Sequence, residues 1–570
     1  LAAAESSGSP ESLWRAYFQL ARTLRARNET GLAIFFGKES IDQIERERRY
    51  FVGPDRRFDR GFLRDKVAVY RAVADWLFEL GRTDEGLAVL KLLKTEELAE
   101  FGVRAAAFTP GERGVEFTGD ETEVRERYHQ AVQADLAAGT ELARLGALEE
   151  AGRISPAERE QLRSLLAGKG ASESARAGRI EQLLRARAAA LGGEAAGRRT
   201  IAAHALELAA RDFGPDTAFA VYLLTEHHLR VLVSARGSQA EFLIPVDAAQ
   251  LQRDIGHFLD DITRRRNASA LADSLYAVIA RQVDEFAAEH RVHRLVLWLD
   301  GSLRYVPIAA LRDGQRYLLD KYTLQIYTPA PAAAAGAAHA RSDPPQVRGL
   351  GVTQAVAGFP ALPAVADELC YVVRGPIEGL QSSDGACPSP ARGNGALQGE
   401  GFADTAFTEA RFRELLGGAR GFSVLHIGTH FRLRPGNALR SYLLLGDGAR
   451  LTLDTIGTLD FSGIDVVTLS ACETGMGGAR TDDGREIEGL SALVQRRGAS
   501  RVIASLWPVE DVSTAQLMRS LYAAFAAAHG DAALGLQQAQ RALRSRSFGS
   551  GASYEDPYYW AGFSVSGSRP

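Results

Sequence analysis

The run Val466-Val467-Thr468-Leu469-Ser470-Ala471-Cys472 constrains this chain more than any other stretch, because it carries no charge and too little polarity to line a surface. A short run of this kind makes a strand covered on both faces. It stops at a cysteine followed by Glu473-Thr474-Gly475. A second run, Phe422 to Ile427, ends in Gly428-Thr429-His430. Two such strands lying parallel and side by side would bring the two reactive side chains together at their carboxyl ends, which is where open α/β sheets bind ligands. His430 and Cys472 are therefore the candidate catalytic pair, and the chemistry they suggest is that of a Cys-His hydrolase.

A thiol with an ordinary pKa of about 8.5 is mostly protonated at neutral pH and needs a base beside it. Imidazole, titrating near about 6.5, takes that proton and returns it to a leaving amine. Backbone N–H groups of Cys472 and Phe431 are the candidate oxyanion donors. Taken singly, a cysteine or a histidine at the end of a buried strand is more often a core residue; the two together favour function. His426 and His430 have a spacing that serves zinc on a helix. On a strand four steps span roughly 13 Å, so one ion is not shared and no metal is expected. Neither a phosphate-binding Gly-x-x-x-x-Gly-Lys-Ser/Thr nor a Gly-x-Ser-x-Gly elbow occurs, and no cofactor is expected.

Composition narrows the classes further. The 570 residues have room for three or four domains, and 46% hydrophobic with 24% charged residues is a globular balance. A net charge of -4 lacks the basic excess that nucleic-acid binding needs. No apolar run reaches the roughly 18 to 20 residues of a membrane span. Three cysteines, Cys370, Cys387 and Cys472, without metal-ligand spacing, make a disulfide framework unexpected. The chain begins at Leu1 and reads as a fragment or processed form, with a cytoplasmic location expected.

In chain order, residues 1–110 form a helical region. Tyr70 to Arg82 reads as an amphipathic helix closed at Gly81 and Asp84 to Leu93 as a second, a pair resembling one tetratricopeptide repeat; an ordinary helical hairpin is the alternative. Residues 111–212 are rich in Ala, Arg, Glu and Leu and read as long helices or a helical hairpin with a solvated face, or else a partner-binding coiled coil. From Pro215 the pattern becomes a three-strand meander at 217–246, then strands alternating with helices, which makes a mainly parallel sheet the economical fold. Residues 213–345 and 346–570 are its two halves. Ser382 to Gly401, rich in Gly, Ser and Pro, reads as a surface loop: a linker, or a gating or self-cleavage segment.

Several stretches then carry a resemblance as an ordered set. They are His426-Ile427-Gly428-Thr429-His430-Phe431, Ser441 to Gly448, Leu469 to Gly475, Glu488-Gly489-Leu490, Ala504 to Asp511, Tyr558 to Phe563, and upstream Asp300-Gly301-Ser302-Leu303 with Pro307 and Ala309-Ala310-Leu311. Together they resemble the CHAT domain, a caspase-like domain of the cysteine peptidases related to separases and found beside tetratricopeptide repeats. The resemblance implies an α/β caspase-like fold behind an all-α helical region, and a His430–Cys472 dyad with no obligatory third acid. It also implies an S1 acid at Asp511 selecting Arg or Lys at P1; capping of the helix that starts near Ser513 is the alternative role. Phe431 stands where caspases have glycine.

The expected function is thus a cysteine endopeptidase acting on a protein or peptide substrate, regulated by a protein partner through the helical N-terminal region. A non-catalytic scaffold of the same fold is the alternative, and a transferase using the same thioester is a third class.

Overall fold

A computed structural model describes residues 10–51, 65–99, 114–150, 152–166, 182, 204–329, 344–381, 387, 392–417, 421–432, 440–471, 488–548 and 552–569. The chain divides into two compact units, Leu1–Leu93 with Phe108–Ala203, and Lys94–Ala107 with His204–Pro570.

The first unit is helical among its described residues: α1 (Pro10–Ala26), α2 (Thr30–Phe51), α3 (Val67–Glu79), α4 (Thr83–Ala99, of which 94–99 count with the second unit) and α5 (Gly119–Glu150). The turn between α3 and α4 needs a left-handed residue, and Gly81 supplies it at φ 72°. Two further glycines set how closely the helices pack. A Cβ at Gly37 would lie 2.4 Å from Val73 Cγ2, and one at Gly86 2.4 Å from the Phe78 ring. Lys38 of α2 is fully buried, with Nζ donating to Glu121 (2.8 Å), Glu85 (2.6 Å) and the Glu116 carbonyl (2.8 Å). A buried ammonium is tolerable only with such a full set of partners.

The second unit is built on one sheet of thirteen strands. They are β1 (Thr217–Leu224), β2 (His228–Ala235), β3 (Ser238–Pro245), β4 (Arg294–Trp298), β5 (Thr323–Tyr327), β6 (Val347–Gly351), β7 (Val373–Glu378), β8 (Arg392–Asn394), β9 (Leu397–Ala403) and β10 (Val424–Thr429). Three short strands, β11 (Phe431–Arg432), β12 (Tyr442–Leu444) and β13 (Arg450–Thr452), form a separate antiparallel ladder. The main sheet resumes with β14 (Val466–Ala471) and β15 (Arg501–Ser505). After the small ladder β16 (Ser547–Phe548) and β17 (Ala552–Ser553) it ends with β18 (Phe563–Gly567). The order is β3-β2-β1-β4-β5-β18-β15-β14-β10-β6-β9-β7-β8. β1, β4 and β5 are parallel to one another, as are β15, β14, β10, β6, β9 and β7. β18 lies parallel to β5 and antiparallel to β15, so the two halves run in opposite directions and the last strand joins them.

The helices that matter for the site are α6 (Pro363–Val372), α7 (Glu488–Arg496) and α8 (Asp511–Ala527). Strand alternation assigns the faces. On β10, Leu425 and Ile427 belong to the core shared with α7, while Val424 belongs to the core shared with α6 and α8. His426 and Gly428 alternate with the former and therefore face α6 and α8. α6 can lie close because the strands beneath it are glycines: a Cβ at Gly349, Gly351 or Gly428 would come within 2.8–2.9 Å of Leu369, Val365 or Val373.

Two expectations are corrected. The stretch from Ser382 to Gly401 is not simply a loop, since β8 and most of β9 lie within it. Gly393, Gly395, Gly399 and Gly401 each meet a neighbouring segment where a Cβ would intrude, so these glycines serve close strand packing rather than freedom. Cys370 and Cys387 are joined as a disulfide, although their number and spacing suggested none. The mainly parallel sheet with flanking helices, behind a helical region, is as expected. Among the described residues no helix is long and apolar enough to cross a membrane.

Candidate active site

β10 and β14 are parallel neighbours, paired from Val424↔Val466 to Thr429↔Ala471. The last pair is the one that matters, because Thr429 and Ala471 are the residues immediately before His430 and Cys472. Cys472 itself lies outside the described residues, as does the turn that follows it.

His430 is buried, 4% exposed, at the carboxyl end of β10. Its Nε2 lies 2.9 Å from the Pro360 carbonyl oxygen. A carbonyl can only accept, so Nε2 carries the hydrogen and Nδ1 is left with the lone pair in the neutral ring. The ring also leans on Phe359, centroids 5.0 Å apart. The His430 carbonyl accepts from Leu444 N at 2.9 Å, and Phe431 opens β11 opposite Leu443. Phe431 is buried in the α7-side core.

The segment that supplies Pro360 is itself held. Val352 N donates to the Gly428 carbonyl (2.9 Å), and Leu362 N to the Thr353 carbonyl (3.1 Å). Thr353 gives both its N–H and its hydroxyl to the two oxygens of Asp404, each at 2.7 Å. Asp404 takes a left-handed φ of 48° at the end of β9, a strained choice for a residue with a side chain, and is buried. At the other end, Ala364 N donates to Asp511 Oδ2 at 3.0 Å. Residues 360–364 thus bond to both His430 and Asp511.

Asp511 is the first residue of α8, whose N-cap is Glu510 accepting from Ser513 N at 2.7 Å. Capping of α8 is therefore Glu510's role, and Asp511 reaches across to α6 instead. Burial raises the Asp511 carboxyl above the usual range, opposed by the Ala364 N–H and reinforced by Glu368, Glu510 and Asp367.

Beneath His430 on the same strand face sits His426, fully buried. Its Nδ1 is 3.1 Å from Tyr522 Oη, and Tyr522 in turn donates to Thr468 Oγ1 at 2.7 Å. Its Nε2 lies 3.1 Å from Glu368 Oε1 of α6, at an angle too poor for a hydrogen bond. Burial pushes the Tyr522 hydroxyl well above its ordinary pKa. Among the described residues no cluster of three or more His, Cys, Asp or Glu could hold a metal ion.

Sequence reasoning did not single out Pro360, Asp404, Glu368 or Tyr522. Pro360 acts through a backbone carbonyl, which no residue type signals. Glu368 sits at a helical position that reads as a solvent-facing charge; only its burial under Gly428 distinguishes it.

A family model described as CHAT domain matches residues 265–568. No curated protein matches the chain. Two solved structures of the Saccharomyces cerevisiae separase–securin complex are similar to it. One has a TM-score of 0.38 at 9% identity, covering 98% of this chain and 47% of that one. The other has a TM-score of 0.35 at 8% identity, covering 94% and 40%. The chain spans less than half the length of these structures.

Proposed function

The chain belongs to the CHAT-domain family, and from that premise we propose that it is a cysteine endopeptidase with His430 and Cys472 as its dyad. The observation that carries the reading is the His430 ring. Its Nε2–H is spent on the Pro360 carbonyl, which leaves Nδ1 as the basic nitrogen at the end of a strand whose parallel neighbour leads directly into Cys472.

In this reading Nδ1 takes the thiol proton and the thiolate adds to the scissile carbonyl carbon. Backbone N–H groups of Cys472 and Phe431 hold the oxyanion. The tetrahedral intermediate collapses as the imidazolium gives its proton to the departing amine, leaving a thioester that water then hydrolyses. The Pro360 carbonyl keeps the ring in one tautomer, a role that needs no third acid.

Asp511 is the proposed S1 acid. It is a half-buried carboxylate whose charge is disfavoured by its surroundings, and a P1 guanidinium or ammonium would relieve that cost. The helical N-terminal region is the proposed contact for a regulatory protein. The test uses fluorogenic peptides ending in Arg or Asp, with wild type and Cys472→Ala. Cleavage after Arg that disappears in Cys472→Ala is expected. Cleavage that survives the substitution removes the dyad, preference for Asp removes Asp511 from S1, and no cleavage at all returns the scaffold alternative.

A further inference from the structure

We propose that Glu368 and His426 form a buried ion pair that positions His430 from beneath, which makes Glu368 a positioning residue of the site. The inference rests on the dyad reading above, and its starting point is a count of hydrogens. Tyr522 gives its only hydrogen to Thr468, so toward His426 its oxygen can only accept. Nδ1 of His426 must then carry a hydrogen to make its 3.1 Å contact. With Glu368 ionised, a neutral ring would leave the Nε2 lone pair facing Oε1 across 3.1 Å, two electron-rich atoms in contact. A proton on Nε2 turns the repulsion into attraction. The poor angle makes that attraction one of charge rather than of a directed hydrogen bond.

Both side chains are almost completely buried, 0% for His426 and 2% for Glu368, so neither charge is solvated and each is held by the other. The other titratable groups facing them are Tyr522, Asp511 and Glu510 on α8, and Asp367 on α6 itself. None of these four is a cation that could take the place of His426 beside Glu368.

The pair spans the interface between α6 and β10. α6 is the helix whose leading residues deliver the Pro360 carbonyl to His430, and β10 is the strand that carries His430. Drawing Glu368 down onto His426 therefore fixes the distance between the imidazole and the carbonyl that orients it. Thr468, two strand positions below Ser470 on β14, ties the neighbouring strand into the same chain through Tyr522.

The experiment measures alkylation of Cys472 by iodoacetamide across pH, located by peptide mass, in wild type and Glu368→Gln. It needs no substrate, so it is independent of peptide specificity. The isosteric amide keeps the volume and removes the charge. A cooperatively folded Glu368→Gln with alkylation slowed roughly 10- to 100-fold and a displaced pH profile is expected, the size of effect that a small misplacement of a catalytic group produces. A folded Glu368→Gln with the wild-type rate and profile overturns the proposal, as does a lowered melting temperature with an unmoved profile, which is the mark of a merely structural residue. Should Glu368→Gln fail to fold, Tyr522→Phe, which removes one oxygen, is expected to slow alkylation in the same direction, and a wild-type rate there overturns the proposal. A wild-type Cys472 no more reactive than free cysteine overturns the dyad itself and this inference with it.

Discussion

Asp511 shows how much a single carboxylate can be asked to do. Burial raises its pKa in the folded protein, so its ionised form weakens the fold at neutral pH; that cost is absent below the unfolded carboxylate range of about 4 and sets in as pH rises through the raised folded value. Asp511→Asn keeps an oxygen for Ala364 N and discards the charge. A higher melting temperature than wild type at pH 7 is expected, with the gap closing as the solution is acidified below the carboxylate range. If Asp511 also binds P1, the same variant loses its preference for Arg-ended peptides, and stability gained with selectivity unchanged would separate the two roles. The residues that announced themselves in sequence did so through position. His430 and Cys472 each end an apolar run. Glu368, one of two adjacent acidic residues on its helix, becomes visible only when the helix is laid on the sheet.

At the scale of elements, the contact between α6 and the sheet organises the site. Gly349, Gly351 and Gly428 leave the strand surface bare, Leu369 and Val365 fill it, and the segment entering α6 is drawn to within hydrogen-bonding reach of His430. Gly351→Val would place a branched side chain where a Cβ alone comes within 2.8 Å of Leu369 and Val365. A loss of about 1–3 kcal/mol in urea unfolding is expected from such overpacking, and, on the proposed function, a fall in peptidase turnover as α6 is lifted away. Wild-type activity in a destabilised Gly351→Val would show that the helix position does not govern the dyad. The helices and most strands were legible because their periodicity is local. β7, β8 and β9 were not: β8 is only three residues long, β9 lies in a Gly-rich stretch, and β7 alternates but has Gly375 and Pro376 breaking its apolar signal.

For the whole molecule, the cysteines give the simplest count. Cys370 and Cys387 are bonded and the sequence holds three cysteines, so one thiol is expected to react in denaturant before reduction and three after it. Three reactive thiols before reduction would mean that the bond is absent in the protein as made. Closing a loop between positions 17 residues apart stabilises the fold by about 3 kcal/mol in the chain-entropy view, so reduction is expected to lower the urea midpoint of the second unit. Sequence spacing could not pair these two, since what brings them together is the return of the chain from β7 into β8 beside α6. The strand order has a temporal side as well. β18, residues 563–567, fills the slot between β5 and β15, and nothing earlier in the chain occupies it. While the ribosome is still making the preceding residues, β5 and β15 each wait with that edge open, and the strand beside the one leading into Cys472 gains its second neighbour only when those five residues emerge.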